Sequence, residues 1–372
     1  SGAEAANGVT LAGSVEPGSV VSVRLGMVTR SATVAANGSW TANFAPGDIP
    51  SGEYPAGITV TATDAAGNTA TLTDTVDVDT LVSGFSLDAV AGGDGYLNAA
   101  EAAGGLTLTG TVEPNATVDV TFNGTTHTTV ARGDGSWQVL FSSADIGSGE
   151  FTADVSVAAT DAVGNTDVIT TTVEVDTDAP DPAHISSFTR AGDVIREISV
   201  PIEDDVASVT GIAPDGSTSD VLYATADSAF YPDETDISLG PVSDGTHLVI
   251  NRADDAGNTS STLLALEDSG TDVVSLDTPG LDGVNLDAVD LRIAENSELT
   301  ISADVLENLS VNGNELIIRG SEDDTVTVDT SDGSAFTATG ETVTIGTDTF
   351  NVYTLGDEGG RLIIDDEINI IS

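Results

Sequence analysis

Cysteine is absent from this 372-residue chain. Disulfides therefore brace none of its domains, and zinc or iron–sulfur sites built on thiolates are excluded. Lysine is absent too, which rules out Lys–Asn isopeptide cross-links. Aromatic residues make up 4% of the chain, so any core must rest on Val, Ile, Leu and Ala. No apolar run approaches the roughly 20 residues of a membrane-spanning helix. Positive charge is scarce: nine arginines stand against 61 acids, for a formal charge of −52. Such a surplus repels nucleic acid and anionic membrane surfaces, so neither is expected as a partner. Catalytic signatures are missing as well. There is no Gly-x-Ser-x-Gly elbow, no His-Glu-x-x-His and no phosphate-binding loop. With 61 acids some carboxylate pairing is inevitable, so pairs alone are no sign of glycoside hydrolysis. No enzyme is expected.

What is present is a repeat. Gly8–Pro17 returns as Gly105–Pro114, Asn37-Gly38-Ser39-Trp40 as Asp134-Gly135-Ser136-Trp137, and Gly52-Glu53-Tyr54 as Gly149-Glu150-Phe151. Asp64-Ala65-Ala66-Gly67-Asn68-Thr69 returns as Asp161-Ala162-Val163-Gly164-Asn165-Thr166, and all of these keep one offset of 97 residues. That period is too long for a solenoid and fits whole domains in tandem. Within each copy, apolar and polar residues alternate at Gly8–Val15, Ser19–Leu25, Ile58–Thr63 and Thr69–Asp79. Short alternating runs separated by Asn-Gly and Asp-Gly turns predict an antiparallel immunoglobulin-like β-sandwich. Trp40 and Trp137, each just after a hairpin turn, are expected to anchor cores.

The predicted fold class is all-β: tandem immunoglobulin-like sandwiches over 1–80, 81–177 and 178–270, then a distinct β-rich module over 271–372. The third unit keeps only Asp254-Asp255-Ala256-Gly257-Asn258-Thr259 and is a diverged copy. Asp178-Ala179-Pro180-Asp181-Pro182 forms a stiff junction ahead of it. In the last module, strands are expected at 299–301, 315–319, 325–328, 350–353 and 361–364. A helix is expected over Ser302–Leu309 with Ser302 as N-cap, and Ile363–Ile371 as a closing strand. Ser1–Glu4 align with the interior of the second copy, so the chain is expected to be part of a longer protein.

Leu97–Ala102 followed by Thr107–Val112, the Ala-Thr-Asp-x-x-Gly-Asn-Thr element and the Val175–Pro180 junction resemble the bacterial immunoglobulin-like repeats of large type I-secreted, RTX-type biofilm adhesins. The last module is similar to one found near the C-terminal end of such adhesins. The Gly-Gly-x-Gly-x-Asp repeat of the RTX β-roll is absent, with only a fragment at 92–95. The resemblance implies an extender segment at the cell surface or in a secreted matrix, with calcium at the domain linkers.

The acids can be placed on the predicted sandwich. Of the 61, 42 are Asp, a short ligand suited to tight turns round a hard cation, and calcium takes about 6–8 oxygen ligands. At the first junction Asp77, Asp79, Asp94, Asn98, Glu101, Asp161 and Asn165 are expected to converge. At the second, Asp176, Asp178, Asp254 and Asn258 are the candidates. Asp64 and Asn68 would form an incomplete site at the start of the chain. The same Asp-x-x-Gly-Asn-Thr residues also suit a plain turn, with Asp and Asn capping amides. A halophilic surface would produce similar acidity without any site. His127, His184 and His247 fall in no metal-ligand spacing and are expected in loops or at the surface. The partners expected are neighbouring domains of the same or identical chains, and a surface or matrix component. The alternative is a self-assembling subunit of an extracellular filament or surface layer, whose incomplete first sandwich accepts a strand from a neighbour.

Overall fold

The structure, a computed structural model, describes residues 1–90, 93, 95–191, 194–201, 206–229, 231–242, 245–266, 273–281, 284–309, 315–356 and 359–372. The chain is nearly all β and divides into two compact units, Ser1–Thr177 and Asp178–Ser372.

The first unit holds both clear copies. Domain one runs α1 (Gly2–Asn7), β1 (Val9–Ser14), β2 (Val20–Leu25), β3 (Val28–Ser31), β4 (Thr33–Val34), β5 (Ser39–Phe44), β6 (Glu53–Thr63) and β7 (Thr69–Asp79). One sheet has the order β1-β5-β4 and the other β3-β2-β6-β7. Domain two opens with two short strands, β8 (Ser86–Leu87) and β9 (Tyr96–Leu97). It continues with α2 (Ala99–Gly104), β10 (Leu106–Thr111), β11 (Thr117–Phe122), β12 (Thr125–Val130), β13 (Ser136–Phe141), α3 (Ser143–Ile146), β14 (Glu150–Thr160) and β15 (Thr166–Asp176). Its sheets are β13-β10-β8 and β12-β11-β14-β15-β9. α1 and α2 keep the 97-residue offset, a match that alternation of apolar residues could not reveal in six-residue helices.

Alternation decides which side chains enter the cores. Val118, Val120 and Phe122 are fully buried, while Asp119 between them faces out. Trp40 and Trp137 are buried core anchors, and each packs on a glycine directly across the sheet, Gly13 and Gly110. A Cβ at either glycine would lie within 2.7 Å of the indole, so only glycine admits the ring there.

The second unit combines two kinds of β structure. Upstream are antiparallel strands: β16 (Ser187–Ala191), β17 (Val194–Pro201), β18 (Val206–Ile212), β19 (Thr218–Asp220), β20 (Tyr223–Asp227), β21 (Glu234–Leu239), β22 (His247–Ala253) and β23 (Thr259–Leu264). Then come β24 (Val273–Ser275), β25 (Ala288–Asp290), β26 (Glu298–Ser302), α4 (Ala303–Leu309), β27 (Glu315–Arg319), β28 (Thr325–Asp329), β29 (Phe336–Ile345), β30 (Asp348–Leu355), β31 (Gly360–Asp365) and β32 (Asn369–Ile371). β24-β26-β28-β32 form one parallel sheet, and β23, β25, β27 and β31 pair in parallel within another. The chain thus passes back and forth between two parallel sheets and buries Leu299, Ile301, Leu316, Ile318, Val326 and Leu362 between them.

Two expectations differ from this arrangement. Residues 363–371 are not one closing strand: β31 and β32 lie in separate sheets, joined by a turn in which Ile368 N–H donates to Asp365 O (3.2 Å). The run Leu362-Ile363-Ile364 is apolar on both faces because parallel sheets are covered on both sides. The expected boundary near 270 lies outside the described residues, and the sheet order β19-β18-β22-β23-β25-β27-β31-β30-β29 continues across it. The helix at 303–309 is present, with Ser302 Oγ accepting from Val305 N–H (3.3 Å).

Candidate metal centre

The site is built from one strand end and two loops of the first unit. β7 ends in Asp79, the Val112-Glu113-Pro114 element follows β10, and Asp161 opens the turn between β14 and β15. One carboxylate oxygen from each of Asp79, Glu113 and Asp161 lies within 4.8 Å of the others. Asp161 is buried and the other two are half-buried.

The turn itself is self-capped. Asp161 Oδ1 accepts from the backbone N–H of Val163 (2.8 Å) and Asn165 (2.9 Å), and Asn165 Nδ2 donates to Asp161 Oδ2 (2.6 Å). Gly164 sits at φ 90°, where a side chain is strained. Asp64 with Asn68 repeats this geometry in domain one, and Asp254 with Asn258 repeats it in the second unit. The Asn68 amide holds the Asp64 carboxyl below its usual range. Turn chemistry is therefore common to all three copies. In the second copy the turn also meets its neighbour: Asn165 Nδ2 donates to Asp79 Oδ1 (2.9 Å), and Asn165 Oδ1 accepts from Gly2 N–H (2.6 Å).

The electrostatics are one-sided. Burial pushes the Glu113 carboxyl above its usual range. A hydrogen bond from Ser83 N–H opposes the rise, while repulsion from Glu53, Asp161 and Asp79 adds to it. Among the described residues, none of the ion pairs reaches Asp79, Glu113 or Asp161. Three hard oxygen donors with no positive partner suit a divalent cation. Two ligands on one calcium ion, each at about 2.4 Å, can be as much as about 4.8 Å apart. The residues present therefore fit calcium chemically.

The structure brings Asp79, Asp161 and Asn165 together and separates Asn98 and Glu101 from them. Asn98 and Glu101 are reciprocal caps of α2: Glu101 N–H donates to Asn98 Oδ1 (3.0 Å) and Asn98 N–H to Glu101 Oε2 (3.2 Å). They do not converge with Asp161, because β9 pairs with the far end of β15 at Glu174 and Val175. Nine residues of extended strand separate Thr166 from Val175, roughly 30 Å at about 3.3 Å per residue. Asp77 stays exposed on β7, and Asp94 lies outside the described residues. Asp64 is half-buried and Asn68 exposed, with Glu16, the counterpart of Glu113, also exposed. Asp176 belongs to the first unit, and Asp178, Asp254 and Asn258 to the second.

Glu113 was not among the sequence candidates. The signal lay in the repeat, which carries Glu at the same place in both Val-Glu-Pro elements. The histidines are half-buried rather than surface residues: His127 stacks edge-on against Phe141, and His247 Nδ1 accepts from Leu266 N–H (3.1 Å). Burial lowers the His184 imidazole below its usual value, with nearby Arg319 and Arg292 adding to the effect.

Residues 6–80 match the family model of the bacterial Ig-like domain. No curated protein matches the chain. Several solved structures are similar to it. One concerns host cell surface retention of a 1.5-MDa bacterial ice-binding adhesin; it is 26% identical, with 70% of this chain and 90% of that one covered and a TM-score of 0.35. A second, a Ca2+-stabilized adhesin that helps an Antarctic bacterium bind ice, is 26% identical over 70% of this chain and 68% of its own, TM-score 0.33. A third is a single bacterial immunoglobulin-like domain from the M. primoryensis ice-binding adhesin. It is 31% identical over 25% of this chain and 93% of its own, TM-score 0.20.

Proposed function

We propose, on the match of residues 6–80 to the bacterial Ig-like domain family, that this chain is a structural extender segment of an extracellular bacterial adhesin, tightened by calcium between its domains. It has no enzymatic role in this reading. Its work is mechanical: repeated sandwiches supply length, and the boundary between them supplies stiffness. The observation that carries the proposal is the carboxylate trio at the boundary of domains one and two. Asp79 comes from the last strand of one sandwich, and Glu113 and Asp161 come from loops of the next.

Asp79, Glu113 and Asp161 would hold the ion, with Asn165 orienting Asp79 and Asp161 through its amide. A bound calcium would supply positive charge that offsets the mutual repulsion of the carboxylates. Without it, those carboxylates push apart the end of β7 and the two loops facing it. Domains one and two would then be held mainly by hydrogen bonds such as that from Asn165 to Asp79. Surface acidity keeps the chain soluble and disfavours binding to nucleic acid or anionic membranes. No helix among the described residues is long and apolar enough to cross a membrane.

The test is a thermal melt at fixed ionic strength in EDTA, calcium or magnesium. The expected result is a higher midpoint with calcium than with magnesium, by linkage to a site present only in the folded state. That gain disappears in Asp161→Ala. Equal responses to calcium, magnesium and matched sodium chloride would mean general screening and would sink the calcium mechanism.

A further inference from the structure

In the second unit the chain changes sheets between β19 and β20. Val221 N–H donates to Val209 O of β18 (2.9 Å), and Leu222 O accepts from Gly240 N–H at the end of β21 (2.6 Å). Consecutive residues are thus tied to different sheets, and a cleft of about 320 Å³ lies beside the crossing. That size is at the lower end of ligand pockets, roughly 300–1,000 Å³, and suits a small group. Its apolar walls are Ala213, Pro214, Val221, Leu222, Pro241 and Val242, and Leu222 is 82% exposed. Its polar lining is Ser219, Asp220 and Thr246, so Asp220 is the one charged side chain among the lining residues.

Gly211 of β18 lies under this polar lining. A Cβ there would lie 3.1 Å from Thr246 Cγ2, 3.3 Å from Val221 Cγ2 and 3.4 Å from Ser219 Oγ. Three lining side chains therefore converge where glycine leaves room. Its φ is outside the left-handed region, so space rather than backbone conformation accounts for glycine in this strand. Thr246 is 7% exposed, yet its hydroxyl makes no hydrogen bond among the described residues. A hydroxyl buried this far ordinarily has a partner. The Ser219 hydroxyl and the Asp220 carboxylate are likewise unpartnered among the described residues. Three side-chain oxygens are left to a ligand.

We propose that this cleft binds a primary ammonium group on a short aliphatic stem, the chemistry shared by a lysine side chain and a free alkylamine. An ammonium has three donors and no acceptor, which matches three oxygens that can all accept. Asp220 supplies the opposite charge and the charge-assisted bond, Ser219 and Thr246 accept the remaining N–H groups, and the apolar walls cover the stem. Other ligand classes fit less well. An anion meets Asp220 and a chain of charge −52. A sugar ring finds no aromatic side chain among the lining residues to stack on. The site lies in the second unit, away from the carboxylate trio, and goes beyond the mechanical role.

The test uses the full chain in EDTA at fixed ionic strength, so the calcium reading can fail without touching it. n-Butylammonium chloride is titrated in and followed by backbone amide shifts. The expected result is saturable shifts at Gly211, Ser219–Leu222 and Thr246. Binding is about tenfold tighter than that of methylammonium, which lacks the stem, or n-butanol, which lacks the charge. Asp220→Asn, an exposed substitution, loses about tenfold in affinity, and Gly211→Ala and Thr246→Val weaken binding by filling the floor and removing an acceptor. A blocked lysine that binds within about threefold of n-butylammonium assigns the site to a lysine of a polypeptide, and one that binds about tenfold more weakly assigns it to a free amine. Absence of saturable shifts overturns the proposal. Equal binding of methylammonium overturns it in favour of diffuse counterions, and equal binding of n-butanol in favour of a merely apolar cleft. Unchanged affinity in Asp220→Asn overturns it too.

Discussion

Glu113 shows how one side chain can change the sign of a stability effect. Its carboxyl is held above the usual range, chiefly by burial. Its contribution is therefore full below the unfolded value of about 4.3 and is lost as pH rises through the folded value. In EDTA, Glu113→Gln is expected to raise the midpoint at pH 7.5 and to change it little at pH 4. In calcium the same variant is expected to melt below wild type, because the ion favours the ionised form that glutamine lacks. Melts of both proteins at the two pH values check this. Asp287, Asp324 and Asp365 are also raised by burial, so the comparison between variant and wild type, not the wild-type curve alone, isolates Glu113. Trp137 makes the other residue-scale prediction. Trp137→Ala should cost about 3–5 kcal/mol in chemical denaturation. Trp40→Ala should cost less, since Leu11 beside it is only half-buried and part of that core is already open to solvent.

Among the elements, α1 and α2 are six-residue helices that depend on their caps. Both carry a capping box, Ser1 with Glu4 and Asn98 with Glu101. Short helices are marginal by themselves, so Asn98→Ala is expected to cost about 1 kcal/mol, read from urea midpoints. The paired last strands provide a second test. β7 and β15 each pair over 11 residues with the preceding strand, but among the described residues only β15 has a further neighbour, β9. Amides of β7 are expected to exchange faster than their counterparts 97 residues later, and hydrogen exchange followed by mass spectrometry reads this directly. Equal rates at Val76 and Val173 would show that the exposed core of domain one is no looser than that of domain two.

For the whole molecule, a charge of −52 acts through self-repulsion. In EDTA, added sodium chloride should raise stability by screening, with most of the gain reached as the Debye length falls below about 10 Å. Calcium should then add a further increment that salt does not. The two compact units have separate cores, so calorimetry is expected to resolve two transitions. Because Asp79, Glu113 and Asp161 all lie in residues 1–177, the transition of that unit should move further with calcium. Equal movement of both transitions would point to screening across the surface.

The sequence by itself determined the repeat, the all-β class and the buried tryptophans. Each rests on a local periodicity: a fixed 97-residue offset, period-two alternation, and turn dipeptides ahead of Trp40 and Trp137. The Asp-x-x-Gly-Asn-Thr turn was also legible, because its hydrogen bonds close within five residues. Only the tertiary structure decided which acids meet. Asn98 and Glu101 lie in one sequence neighbourhood with Asp94, yet β9 pairs with the far end of β15 and carries them away from Asp161. Glu113 joins the trio because β10 carries its end to the same pole as the turn at Asp161, a contact across 48 positions of chain. The parallel pairing of β25, β27 and β31 was likewise settled by packing. Runs such as Leu362-Ile363-Ile364 state only that both faces are buried, and the strands that cover them come from elsewhere in the chain.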